Sequence, residues 1–167
     1  MHDIATIRGS WDGVGKRIGL VASRFNDRIV QELIRGAVEE LDRIGVERQQ
    51  LTLVRVPGAH EIPLALEEMA ATGEFDALVA LGVVIRGETA HFDYVCSTCM
   101  SGCEAVVRTY RIPVGLGVLT CETSEQAVER AGGKVGNKGA EAAQAAIEMS
   151  SVVQQLRAAS TAPKASN

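Results

Sequence analysis

Two hydrophobic rhythms alternate along this chain. Short runs of consecutive apolar, largely β-branched residues are each followed by a stretch in which apolar residues return every three or four positions, as strands buried on both faces and one-sided helices require. The first run is residues 17–23 (RIGLVAS), after which Asn26 or Asp27 can cap a helix marked by Ile29, Val30, Leu33, Ile34, Ala37, Leu41 and Ile44 and stopped by Gly45. Residues 51–56 (LTLVRV) predict a second strand, ended by Pro57-Gly58, and a second helix follows from about Ile62 to Thr72. Residues 78–85 (LVALGVVI) form the most apolar run and predict the sheet centre. From Phe92 a stripe through Val95, Cys96, Cys99, Cys103, Val106, Val107 and Tyr110 predicts a long helix to about Arg111. Residues 112–120 (IPVGLGVLT) predict the fourth strand, and Thr123 with Gln126 makes a capping-box pattern for a helix through about Ala131. Residues 132–139, rich in glycine, interrupt the pattern before an Ala-rich helix to about Leu156.

Strands and helices alternating at this spacing specify βαβ units, and hence an α/β, flavodoxin-like three-layer sandwich: a four-stranded parallel sheet flanked by helices. Residues 1–15 have no period and read as an arm that needs a partner surface to order, residues 16–157 as one domain, and residues 158–167 as a disordered tail. At 167 residues one domain with a sizeable core suffices. Ligands in such sheets sit beyond the carboxyl ends of the strands, where strand order switches. That rule gathers Phe25, Gly58 to Glu61, and Arg86 to His91.

Composition narrows the classes of partner. A net charge of −4 with no cluster of Lys and Arg argues against nucleic acid. No apolar run approaches a bilayer span and the first residues, MHDIATIRGSWDG, lack a leader pattern, so a cytoplasmic protein that binds no membrane is expected. Cys96, Cys99 and Cys103 have the spacing of a metal motif, but they share one helical arc with Val95, Val106 and Val107 and read as small core residues. No metal is expected there, nor at His60, Glu61 and His91, because adjacent side chains of an extended segment point apart.

The turn after the third strand carries the strongest local chemistry. A strand, a Gly turn and a helix start can aim the backbone N–H groups of Gly87 to Ala90 at an anion, with His91 as a proton carrier beside them. A plain βα turn with Thr89 capping the helix accounts for the same residues. Phe25 follows a strand and can stack on a flat ligand or fold over the sheet edge. Gly58, Ala59 and Glu61 can bind a heterocycle edge or sugar hydroxyls, and Glu61 also suits the dipole at a helix start.

The blocks RFND, VPGAHEIP, VVIRGETAHFDYVC, IPVGLGVLT, ERAGGKVGNKGAEAA and AIEM resemble the lumazine synthase family over about residues 17–156. The resemblance implies a transferase of riboflavin biosynthesis that condenses 5-amino-6-ribitylaminouracil with 3,4-dihydroxy-2-butanone 4-phosphate, without metal or organic cofactor. It implies that Phe25 stacks on the pyrimidine, that Gly58, Ala59, His60 and Glu61 bind around it and its ribityl chain, and that Val84 and Ile85 contact the ring. Gly87, Glu88, Thr89 and Arg130 would hold the phosphate, with His91 and Lys138 at the reacting centre and Leu116 closing the pocket. Leu116, Arg130 and Lys138 would come from a neighbouring subunit of a homopentamer, itself able to build a 60-subunit icosahedral shell, and the compact segment 132–139 favours the shell. His60 and Leu116 stand where the family usually has apolar or aromatic residues. A non-catalytic lumazine-binding, flavin-binding or container protein of this fold is the competing reading, which the intact Glu61, His91, Arg130 and Lys138 set opposes. A flavodoxin-like electron carrier lacks its Ser/Thr-rich phosphate loop after the first strand.

Overall fold

Every residue of Ile18–Ser23 is buried, so this run can satisfy its backbone only by pairing on both sides, and it forms the inner strand β1 of a parallel sheet. A computed structural model describes residues 4–161. Strands β2 (Leu51–Val56), β3 (Ala77–Ile85) and β4 (Val114–Cys121) complete the sheet in the order β2-β1-β3-β4, all parallel. The expected α/β three-layer sandwich is the fold.

Helices α1 (Asp27–Arg43) and α5 (Lys138–Thr161) cover one face, and α2 (Ile62–Ala71) and α3 (His91–Tyr110) the other; the short α4 (Ser124–Arg130) follows β4. The first core packs Val30, Leu33, Ala37 and Leu41 of α1 and Ala143 and Ile147 of α5 against Leu20, Val79 and Leu81. The second packs Ile62 and Leu66 of α2 and Cys99, Cys103 and Val106 of α3 against Val21, Leu78 and Ala80. Each fully buried Leu or Ile contributes about 1.5–3 kcal/mol relative to an exposed one.

Several expectations are corrected at element ends. Asn26 does not cap α1 with its side chain: it takes a left-handed backbone (φ 58°), and its Nδ2 donates instead to the Val83 carbonyl at 2.9 Å. Thr123 does cap α4, accepting from Gln126 N at 3.3 Å, but the Gln126 side chain accepts from Glu122 N, not from Thr123 N. The interrupting segment 132–139 contributes to a small antiparallel ribbon, β5 (Ala131–Gly133) with β6 (Gly136–Asn137). Asn137 then starts α5, its Oδ1 accepting from Gly139 N and Ala140 N while its Nδ2 donates to Glu32 O of α1. That helix continues past Leu156, so residues 158–161 are helical; the remainder of the expected tail, 162–167, lies outside the described residues, as do residues 1–3 of the arm.

The described part of the arm lies along its own α5. Ser10 N donates to Ser151 Oγ, Trp11 Nε1 to Glu148 Oε2 at 3.0 Å, and Gln155 Nε2 to Arg8 O at 2.7 Å. Ile4, Ile7, Trp11 and Val14 still face outward.

The cysteine stripe is core in part. Cys99 and Cys103 are buried side by side, and hydrogen bonding to Cys103 together with burial pushes the Cys99 thiol far above its ordinary range. Cys96 is only half-buried and Val107 is exposed, so the stripe leaves the core at those two positions. Among the described residues no group of three His, Cys, Asp or Glu side chains is placed to hold a metal.

Candidate active site

The ends of three strands are tied together before any ligand group is considered. Beyond β1, Arg24 N donates to Val56 O and Phe25 N to Pro57 O, which fixes the turn after β1 to the turn after β2. The Asn26 side chain ties the same turn to β3 through Val83 O. Beyond β2, Ala59–Glu61 forms a single 3₁₀ turn in which Gly58 N donates to Glu61 Oε2 at 2.9 Å, and Glu61 N donates to Gly58 O. The Gly58 amide, one of the expected ligand groups, is therefore committed to Glu61. One carboxylate oxygen, Oε1, remains to Glu61 for another partner.

Beyond β3, Arg86 anchors the turn. Its Nε donates to Glu122 Oε2 at 2.7 Å, its two terminal nitrogens reach Asp93 Oδ1 and Oδ2 at 3.2 Å each, and its guanidinium carbon lies 4.1 Å from the centre of the Phe92 ring. The hydrogen bonds to Asp93 and then Glu122 raise its pKa further, so it stays charged. This clamp joins the ends of β3 and β4 to the first turn of α3, on which His91 is the first residue. Thr89 Oγ1 accepts from His91 N at 3.4 Å, a local turn contact just ahead of the helix; the N-cap residue of α3 is Ala90, which makes no side-chain cap bond, so the expected Thr89 cap is corrected.

A cleft of about 730 Å³ opens over these three strand ends. It brings together ten expected residues: Phe25, Gly58, Ala59, His60, Glu61, Val84, Ile85, Gly87, Thr89 and His91. Phe25 is 75% exposed, an open ring on which a flat ligand can stack. The lining also includes Asn26, Phe92, Tyr94, Val95 and Thr98, which sequence reasoning had not assigned to the site. Tyr94 and Thr98 follow His91 by three and seven residues, so helical spacing from His91 was the available signal. Glu88 sits in the same turn, exposed, outside the lining.

Leu116, Arg130 and Lys138 are not in this cleft. Leu116, on β4, is 49% exposed and lines a second, apolar groove of about 430 Å³ with Pro113, Met149 and Val153. Arg130 closes α4 and donates to Gln126 O, and Lys138 pairs with Glu141 at 2.7 Å. The cleft thus has amides, two imidazoles and a carboxylate, but no Arg or Lys in its lining. Among the described residues of this chain, a phosphate dianion held there would have no Arg or Lys partner in the lining.

The sequence that builds this cleft matches a known family. The family model described as 6,7-dimethyl-8-ribityllumazine synthase matches residues 15–154. The chain belongs to this family. Proteins of that name from Desulfovibrio desulfuricans and from Nitratidesulfovibrio vulgaris strain DP4 are each 48% identical over 156 residues, 93% of this chain and the whole of the relative. The protein of that name from Nitratidesulfovibrio vulgaris strain Miyazaki F is 46% identical over the same length. Membership spans β1 to α5, and the cleft lies wholly inside the matched segment. No helix among the described residues is long and apolar enough to cross a membrane.

Proposed function

We propose that this lumazine synthase family member condenses 5-amino-6-ribitylaminouracil with 3,4-dihydroxy-2-butanone 4-phosphate to give 6,7-dimethyl-8-ribityllumazine, phosphate and water, as a step of riboflavin biosynthesis. The observation that carries the residue assignment is the cleft itself, which places a stacking ring, a carboxylate, an amide-rich turn and an imidazole around one cavity. Phe25 stacks on the pyrimidine, Val84 and Ile85 pack on its ring, and Ala59, His60 and Glu61 receive the ribityl chain. Gly87, Glu88 and Thr89 present the turn that meets the phosphate. His91 moves protons as the substrate amine and ketone form an imine and as phosphate departs.

No metal or organic cofactor enters this scheme. Both reactants carry their own reactive groups, an aromatic amine and a ketone with a phosphate leaving group, so holding them together is the main contribution of the protein.

The absent cation points to a second copy. Arg130, Lys138 and Leu116 sit on β4 and the elements after it, away from the cleft of the same chain, and we assign them to the cleft of a neighbour. A ring in which every interface is the same head-to-tail contact gives each subunit one complete site per boundary. We propose a homopentamer, able to pack further into a 60-subunit shell.

Mixing both substrates with the purified protein and following lumazine absorbance and fluorescence tests the reaction. Formation well above the uncatalysed rate is expected; a rate equal to that of the substrates alone would leave a lumazine-binding or container protein. His91→Ala is expected to lower turnover by less than about 10²-fold, because only proton transfer is lost while both substrates stay bound. Unchanged turnover would remove His91 from the chemistry.

A further inference from the structure

The Thr98 hydroxyl touches the His60 ring. The Thr98 hydroxyl lies on α3 facing the 3₁₀ turn, and its single proton goes to the helix carbonyls: Tyr94 O at 2.8 Å, with Val95 O at 3.3 Å. What remains for a third neighbour is a lone pair. That neighbour is His60 Nδ1, 3.3 Å away. Two lone pairs facing each other repel, so this contact favours a neutral ring with the proton on Nδ1 and Nε2 as the acceptor. Neutral imidazole in water prefers the opposite tautomer. The contact with the hydroxyl favours the reverse of that default.

The consequence reaches the cleft, because His60 lines it beside Glu61. Glu61 has already committed Oε2 to Gly58 N and keeps Oε1. With Nε2 unprotonated, this end of the cleft offers two adjacent acceptors, and its polar preference is for a ligand that donates. We propose that Thr98 is a positioning residue that holds His60 in the Nδ1–H form, and that His60 Nε2 with Glu61 selects a polyhydroxylated side chain on the substrate. This selectivity rests on the proposed binding of a ribityl-bearing pyrimidine; the tautomer does not.

Two readouts separate these layers. In ¹⁵N-histidine-labelled protein, at a pH well above the ordinary imidazole range of about 6.5, long-range ¹H–¹⁵N spectra report the tautomer of each ring, with His60→Gln identifying the His60 signals. The wild type and Thr98→Ser are expected to show His60 as Nδ1–H, and Thr98→Val as Nε2–H. An Nε2–H ring in the wild type, or no change in Thr98→Val, overturns the positioning role whether or not the protein makes lumazine. In the condensation assay, Thr98→Val should raise the KM for the ribityl substrate by about 2- to 10-fold, one neutral hydrogen bond's worth, with kcat unchanged and Thr98→Ser near wild type. An analogue with a plain alkyl chain should show no difference between the variants. The expected tautomers with an unaltered KM, or an equal KM change for the alkyl analogue, would overturn the selectivity. Absence of any lumazine formation in the wild type would instead defeat the proposed reaction, leaving the spectra to decide the tautomer.

Discussion

Gly115→Ala is expected to leave little folded protein. Gly115 sits in β4 where α5 crosses the sheet, and a Cβ built there falls 2.0 Å from the Ala142 carbonyl oxygen and 2.7 Å from its carbon. Both are backbone atoms of a helix, so no side-chain rotation relieves the clash. The helix would have to retreat by more than an ångström along the face where Ala142, Ala143, Ala146 and Ile147 are packed into the first core. Overpacking against movable side chains costs about 1–3 kcal/mol, and backing a helix off a sheet belongs above that range, at 3 kcal/mol or more. Against a typical domain stability of about 5–15 kcal/mol, such a loss shows as a large fall in the denaturant midpoint or as insoluble protein. Gly87→Ala is the control, because a Cβ there meets nothing within 4 Å; its midpoint should match the wild type. A Gly115→Ala midpoint equal to that of Gly87→Ala would contradict the packing described for β4 and α5.

Arg130→Ala is expected to raise the KM for the phosphate substrate by about 10- to 100-fold, the range for losing a charge-assisted hydrogen bond worth roughly 1.5–3 kcal/mol. The KM for the pyrimidine should stay within about two-fold, since no phosphate is held on that substrate. Within its own chain Arg130 does no more than donate to Gln126 O at 3.0 Å, so its removal should leave the fold intact. Inorganic phosphate should compete with the sugar phosphate in the wild type and lose that competition in the variant. Equal KM values in both proteins would take Arg130 out of the phosphate site.

The layers of this fold were legible because its two inner strands, β1 and β3, are buried along almost their whole length. A run such as residues 78–85 can be nothing but a central strand once glycine and a capping turn stop it, and β2 falls on residues 51–56 as expected. The cleft was legible for the same reason, through the rule that ligands sit at strand ends. What escaped were contacts between residues far apart in sequence. Asn26 looks like a helix cap from its neighbours alone, yet Val83 O, 57 residues away, takes its side chain. Arg86 carries no local sign of its tie to Glu122, 36 residues on; nearer in sequence, Gly58 gives no hint that its amide is spent on Glu61. The ribbon at residues 131–137 has too few side chains to show a strand period, so only its glycines were visible. Val107 followed the helical rhythm of its neighbours but emerges at the edge of α3, where the second groove begins.

That the site is completed by a second copy is tested most directly by mixing two impaired halves. His91→Ala damages the half that stays in the cleft, and Arg130→Ala the half assigned to a neighbour. Chains of the two variants are unfolded together in equal amounts and reassembled, with mixed rings verified by native mass spectrometry. If each boundary joins the cleft of one subunit to Arg130 of the next, about a quarter of boundaries in a random ring pair two intact halves. With the sugar phosphate held well below the KM of the Arg130→Ala variant, activity should then rise above that of either variant assembled alone, towards about one quarter of wild type. Verified mixed rings whose activity is only the average of the two variants would place both residues in the site of one chain and contradict the shared cleft.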